Sequence, residues 1–488
     1  MSDLKRNFLS QVILAFTQLL FPLITYPYAA RVLGPSGIGK VSYIEFTTGL
    51  IITLFSIGIP YYGVREIAKL KNDKQKRARL TSELILIHLI FSILSLLAFI
   101  ALIALNQNYQ QEKQLMFYGS LFILLQVFTI EWYLQGTEAF EFIAWRSIFI
   151  RLLAVISIFL FVRTGSDYVI YYVIILGTQL LVAIISISKA LRENSLSFRA
   201  VDLKTHMKPL FYFFLTSSFV SIYVFFDTVI LGWLTNKEHV GYYTFALRIV
   251  KLPLLLLLTL NTVLYPRISS LHHDANTEKI LSLSRFTSKF FVTITIPLCF
   301  CFYLLAPEII ALLGGKDFDP SVKVIQWLSP LPLLLCFSNF FVWQILAPAH
   351  KEKLIMRAVL FGSVMSLLFN FLLIPPLKEQ GAAIAVIVTE GIVFLISLYF
   401  SFEQAKKYFS LNNLIVSIAI SLLTIPIIFF ARTYFVSPLY ILLISLTTFS
   451  IFYFFLQYLL FGNEIMQAIA GFLNPFANRK QLKNAKGI

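Results

Sequence analysis

Gly34, Gly39 and Lys40, in the stretch GPSGIGKVS, stand at the spacing of a phosphate-binding loop, whose chemistry is the cradling of nucleotide phosphates by backbone N–H groups. Such a loop ends in a Ser or Thr that reaches the nucleotide's magnesium. Here Val41 holds that position and Ser42 comes one residue late. A second set offers different chemistry: Glu45, Glu131, Arg151, Asp227, Arg248, Lys251 and Glu390 are ionisable groups inside long apolar stretches. Each costs about 3 kcal/mol at the centre of a bilayer, so such groups mark binding or ion movement by default. Arg248 and Lys251, three apart, share a helix face, and an Arg fork suits phosphate oxygens. His88 stands alone in its apolar stretch and reads as a packing residue, and Asp317 and Asp319 in GGKDFDP read as a loop turn.

The elements that must position these groups follow from composition. Of 488 residues 58% are hydrophobic and 13% charged, against about 25% charged in soluble domains. The apolar residues come in blocks of about 20, the length that crosses a bilayer as helix. The reading is an all-α polytopic membrane protein of fourteen spans: 8–32, 38–62, 83–105, 115–134, 143–162, 167–188, 209–234, 241–265, 287–313, 322–347, 355–375, 381–402, 412–431 and 437–461. The start, MSDLKRNFLSQVILAF, runs on in apolar residues to Ala30, too long for a cleaved signal. With both termini cytoplasmic, 28 of the 40 Lys and Arg fall on inner segments and 9 on outer ones. With residues near a span end counted with the adjoining segment, the remaining three, Arg151, Arg248 and Lys251, lie within spans. That asymmetry sets the orientation, and it explains the net charge of +16 without nucleic acid.

GPSGIGKVS therefore joins two spans on the outer face, away from ATP, and no loop is long enough to form a nucleotide-binding domain. No ATPase subunit is expected. Cys299, Cys301 and Cys336 lack metal-ligand spacing and read as buried small hydrophobes.

The chain reads as duplicated. VLG at 32–34 followed by Gly39 recurs as ILG at 230–232 followed by Gly241, and LQGTEAFEFIAWR (134–146) aligns with ILAPAHKEKLIMR (345–357). Six spans separate the copies, so both halves share one orientation, a parallel repeat with a site expected between the lobes. The expected organisation is an N-terminal lobe over 1–190, an inter-lobe loop at 191–208 and a C-terminal lobe over 209–402. Residues 403–488 hold two extra helices and a basic cytoplasmic tail.

The stretch ARVLGPSGIGKVSYIEFTTGLIITLFSIGIPYYGVREIAK (30–69), with GAAIAVIVTEG (381–391), resembles the signature of bacterial polysaccharide flippases of the O-antigen type. These form a branch of the multidrug, oligosaccharidyl-lipid and polysaccharide exporter superfamily. The resemblance implies two six-helix lobes facing a central cavity, alternately open inward and outward in the cytoplasmic membrane. It implies as substrate an oligosaccharide linked through diphosphate to undecaprenol, with membrane lipids, a polysaccharide polymerase and chain-length machinery as partners. Cationic cavity residues of the related lipid II flippase lie on its first, second and eighth helices. Arg31 and Arg248 occupy similar places here, whereas the second span offers Glu45.

Within that frame Arg31, Arg248, Lys251 and Arg151 are the candidate substrate-binding residues. Glu45, Asp227, Glu390 and Glu131 are candidates for ion coupling or cavity ion pairs. Glu45, Asp227 and Arg248 lie about 10 Å below the outer surface at about 1.5 Å per residue. Asp227 and Arg248, at one depth on adjacent helices, read equally as a structural ion pair or a functional one. Glu390 either carries a coupling proton or bonds a neighbouring helix. No cofactor or metal is expected, beyond coupling to H+ or Na+. The rival readings are a cation-coupled multidrug exporter of the same superfamily and a membrane polymerase or glycosyltransferase. Pro22 and Pro27 in the first span leave both a static kink and a functional bend open.

Overall fold

In lipid every backbone N–H and C=O must be satisfied within its own segment, so long apolar runs fold as helices. The computed structural model describes residues 2–56, 58–70, 73–105, 112–193, 201–273, 276–423 and 425–461, and these form helices and no strand. The basic tail expected at 462–488, and residues 194–200 of the inter-lobe loop, lie outside the described residues.

In chain order the helices are α1 (Ser2–Phe55), α2 (Ile59–Lys69), α3 (Lys74–Leu105), α4 (Lys113–Leu125), α5 (Glu131–Gly136) and α6 (Phe140–Phe161). They continue with α7 (Tyr168–Glu193), α8 (Lys204–Leu234), α9 (Lys237–His273), α10 (Thr277–Leu304), α11 (Ala306–Leu313) and α12 (Ser321–Leu328). The last are α13 (Leu331–Phe340), α14 (Glu352–Tyr408), α15 (Leu411–Leu423), α16 (Ile425–Tyr434) and α17 (Pro438–Phe461).

Eleven described helical segments are long and apolar enough to cross a membrane. The protein is a multi-pass membrane protein. The fourteen expected spans map onto these segments unevenly. Thr17–Phe55 carries the first and second, Glu352–Tyr408 carries the eleventh and twelfth, and the seventh lies on α8. The two expected outer loops in these long helices are kinks. Gly34 has φ 67 and ψ 178, a region open essentially to glycine, and Pro35 restarts the helix. Lys378 has φ 51 and ψ −126, after Pro375 and Pro376.

The kink in α1 also explains the repeated glycines. A Cβ on Gly39 would stand 1.6 Å from the carbonyl oxygen of Lys237, and one on Gly241 would stand 2.0 Å from that of Pro35. The pairs 39–237 and 241–35 exchange under one shift along the chain. The two matching segments therefore meet here backbone to backbone, each needing a glycine to let the other in.

Contacts gather the chain into two compact units. The first comprises Met1–Leu255, Leu313–Val324 and Met356–Thr389. It is cored at one end by Ile59, Tyr62, Leu84, Val127, Trp132 and Leu210. The second comprises Leu256–Leu312, Ile325–Ile355 and the described residues from Glu390 to Phe461. In it α15, α16 and α17 pack on α10 through Cys301, Leu305, Ile420, Ile428, Phe449 and Tyr453. Outward faces are apolar too, with Leu97, Phe149, Ile156 and Leu160 exposed, as expected where the solvent is lipid.

Candidate functional site

Apolar helices can bury a charge only against a partner or an aqueous space, and the first unit supplies both. A cavity of about 650 Å³ is lined by residues from Gln18 to Val182, together with Arg248 of α9. Its lining includes the carboxylates Glu45 and Glu131, the cations Arg146, Arg151 and Arg248, His88, and the phenols Tyr26 and Tyr171. Three arginines face two glutamates.

Arg248 pairs with Glu45 across the cavity wall. Its guanidinium also lies 4.6 Å from the centroid of the Tyr26 ring, and Tyr26 stacks on Phe245 at 5.6 Å. Glu45 is presented by the half of α1 that follows the Gly34 kink, and Tyr26 by the half that precedes it. The bend thus builds both walls of the Arg248 site from one helix.

Arg146, almost wholly buried, donates through Nη2 to Glu131 and through Nη1 to Ser186 Oγ. Glu131 is 46% exposed at its side chain and begins α5. Arg151, one turn and a half further along α6, donates to Thr17 Oγ1 at 2.9 Å. No carboxylate lies within ion-pair distance of Arg151 among the described residues.

The other expected residues lie elsewhere. Asp227 is 3% exposed and accepts from the Tyr243 hydroxyl and, at 2.6 Å, from the Thr228 backbone N–H. The cation in its electrostatic reach is Lys251. The expected Asp227–Arg248 pair is therefore replaced by two separate arrangements. Tyr243 and Thr228 occupy the Asp227 carboxylate, and Glu45 takes Arg248. Lys251 and Arg31 are not among the cavity-lining residues, and Arg31 is exposed just before the kink. Glu390 belongs to the second unit, where it is 6% exposed. His88 does reach the cavity.

Three cavity features were missed from sequence. Arg146 aligns with Arg357 in the repeated segments, yet Arg146 is buried and Arg357 exposed. Gln126 and Gln179, joined by an amide hydrogen bond, are uncharged and give no sequence signal. Trp132 is one aromatic in a chain rich in them, and only its neighbours make it a lining residue.

Comparison with known proteins bears on family and fold. A family model described as "Polysaccharide biosynthesis protein" matches residues 4–272, more than half the chain, and one described as MatE matches residues 213–372. A relative from Escherichia coli (strain K12), named provisionally as an O-antigen transporter, is 26% identical over 412 residues, 82% of this chain and 96% of its own length. A relative from Shigella dysenteriae with the same name is 24% identical over 406 residues, 81% and 99% of the two chains. Among solved structures, the lipid II flippase MurJ in an inward closed conformation matches with a TM-score of 0.69 and 18% identity. That match covers 95% of this chain and 99% of the other, and at this identity it establishes the fold alone.

Proposed function

The chain belongs to the polysaccharide biosynthesis protein family, and on that premise we propose that it is a flippase for undecaprenyl-diphosphate-linked oligosaccharide, moving it from the inner to the outer leaflet of the cytoplasmic membrane. The observation that carries this reading is the charge of the cavity, three arginines against two glutamates within apolar helices. A diphosphate between a sugar head and a polyprenyl tail needs such a place. The head would otherwise lose its hydration in lipid, while the tail is at home there.

The arginines divide the work. Arg151, bonded to a neutral hydroxyl and within electrostatic reach of Glu131 but not paired with it, is the first phosphate contact. Arg146 and Arg248 are held in place by Glu131 and Glu45 and exchange carboxylate for phosphate as the head enters. Arg31 and Lys251 receive no phosphate contact in this state. Transport proceeds by alternating access of the lobes 1–190 and 209–402. An outward-moving negative charge gains about 2.3 kcal/mol per 100 mV, inside negative. Antiport of H+ or Na+ through Glu45, Glu131, Asp227 or Glu390 adds to this. A cation exporter would need a net acidic cavity, which this is not.

The test is translocation in proteoliposomes of undecaprenyl-diphosphate-linked repeat unit by full-length protein. Wild type is expected to expose the lipid to the opposite leaflet and Arg151→Gln to do so at least tenfold more slowly. Transport of lipophilic cations instead, with no movement of the sugar lipid, sinks the proposal.

A further inference from the structure

The cavity has a face that its charges do not account for. Span four is not one helix. After Leu125 the chain runs as a 3-10 turn over Gln126–Thr129, and Ile130 takes a left-handed conformation (φ 36, ψ 39) before α5 begins. The sequence QVFTIEW contains neither Pro nor Gly to demand the break. A β-branched residue held there costs on the order of 1–3 kcal/mol. Non-helical backbone inside a span is tolerated only where protein or a cavity covers it. This break lies on the cavity, and Gln126, Thr129 and Trp132 from it line the wall.

Facing partners complete the set. Gln179 of α7 donates its amide to Gln126 Oε1, which leaves the Gln126 amide N–H groups and the Gln179 oxygen with bonding capacity to spare. His88 of α3 is 7% exposed, Trp132 4%. His88 Nδ1 and Trp132 Nε1 have no hydrogen-bond partner among the described residues. Both nitrogens are closed off from the open cavity, so His88 and Trp132 shape the wall while the Gln126–Gln179 pair carries its bonding capacity. Amides match a ligand rich in hydroxyls, each of which both donates and accepts. Phosphate, which only accepts, makes poor use of the Gln179 oxygen.

We propose that the break in span four, with Gln126, Gln179, His88 and Trp132, is the subsite that reads the sugars of the head group, while the arginines hold its diphosphate. This rests on the function proposed above and assigns selectivity among repeat units to neutral residues.

Two probes separate the parts: undecaprenyl diphosphate alone, and undecaprenyl diphosphate bearing the host's own repeat unit. Their affinities are measured on full-length protein in lipid nanodiscs. The Gln126→Ala/Gln179→Ala double variant is expected to bind the sugar-bearing lipid ten- to a hundredfold more weakly and the bare lipid within twofold of wild type. Retained binding of the bare lipid reports an intact fold. Should the double variant fail to fold, His88→Leu is expected to show the same selective loss, three- to tenfold. Equal weakening of both probes, or of neither, overturns the subsite. Wild type binding both probes equally well overturns it too, while leaving the flippase reading in place. Wild type binding neither probe overturns that reading and the subsite together.

Discussion

Glu45 and Arg248, 203 residues apart, close an ion pair on the wall of a cavity inside the first unit. The two positions fall within one residue of each other under the shift that relates Gly39 to Gly241. An acid and a base at nearly matching places of the two similar segments have therefore met. Both side chains keep some exposure, 40% for Glu45 and 32% for Arg248, so the pair is accessible to an entering anion.

Removing one partner should cost more than removing both. Glu45→Gln leaves the Arg248 charge uncompensated in apolar surroundings, and Arg248→Gln strands the carboxylate. A double-mutant cycle read by thermal unfolding in nanodiscs is expected to give a coupling energy of about 1–3 kcal/mol. A coupling near zero would mean that the two side chains do not meet.

Arg151 should behave differently, because its partner is a hydroxyl. Arg151→Gln is expected to leave the unfolding temperature within about 4 °C of wild type, since one hydrogen bond from a charged donor contributes about 1.5–3 kcal/mol and Gln keeps an N–H to donate. Surface polysaccharide in a deletion strain complemented with this variant should fall at least tenfold at equal protein level. Lys at the same position should restore part of it, keeping the charge and losing the fork.

The reciprocal glycines make a paired prediction. Gly39→Ala and Gly241→Ala each drive a methyl into a backbone oxygen that cannot rotate away. Each should destabilise by at least about 1–3 kcal/mol, the range for overpacking, and the two should be similar in size. Gly177→Ala, with nothing within 4 Å of the added carbon, is the control and should be neutral or mildly stabilising. Unfolding temperatures of the three variants decide it.

Within the second unit, Arg432 grips Glu308 with two hydrogen bonds of 2.7 and 2.9 Å and also donates to the Leu304 carbonyl at 2.6 Å. This ties α16 to the helices of span nine. Arg432→Ala should loosen α15–α17 and quicken their cleavage by protease, and Arg432→Lys, which keeps the charge and loses the fork, should restore part of the resistance. Unchanged proteolysis in Arg432→Ala would show that other contacts hold the final helices.

The apolar blocks determined by themselves that the chain is helical and membrane-spanning, because lipid leaves a polypeptide few other ways to satisfy its backbone. The sequence also picked out the charged candidates, since an ionisable residue among twenty apolar ones stands out without any structure. It set Asp227 beside Arg248, at one depth on adjacent helices. Depth along a helix axis follows from counting residues, whereas the direction in which a side chain leaves that axis depends on the neighbours. Only the tertiary structure settled that Tyr243 and Thr228 would occupy Asp227 and that Glu45 would be free for Arg248. The break at Gln126–Ile130 belongs to the same class. No residue in QVFTIEW forbids a helix, and strain of that kind is held in place only by packing from segments far along the chain.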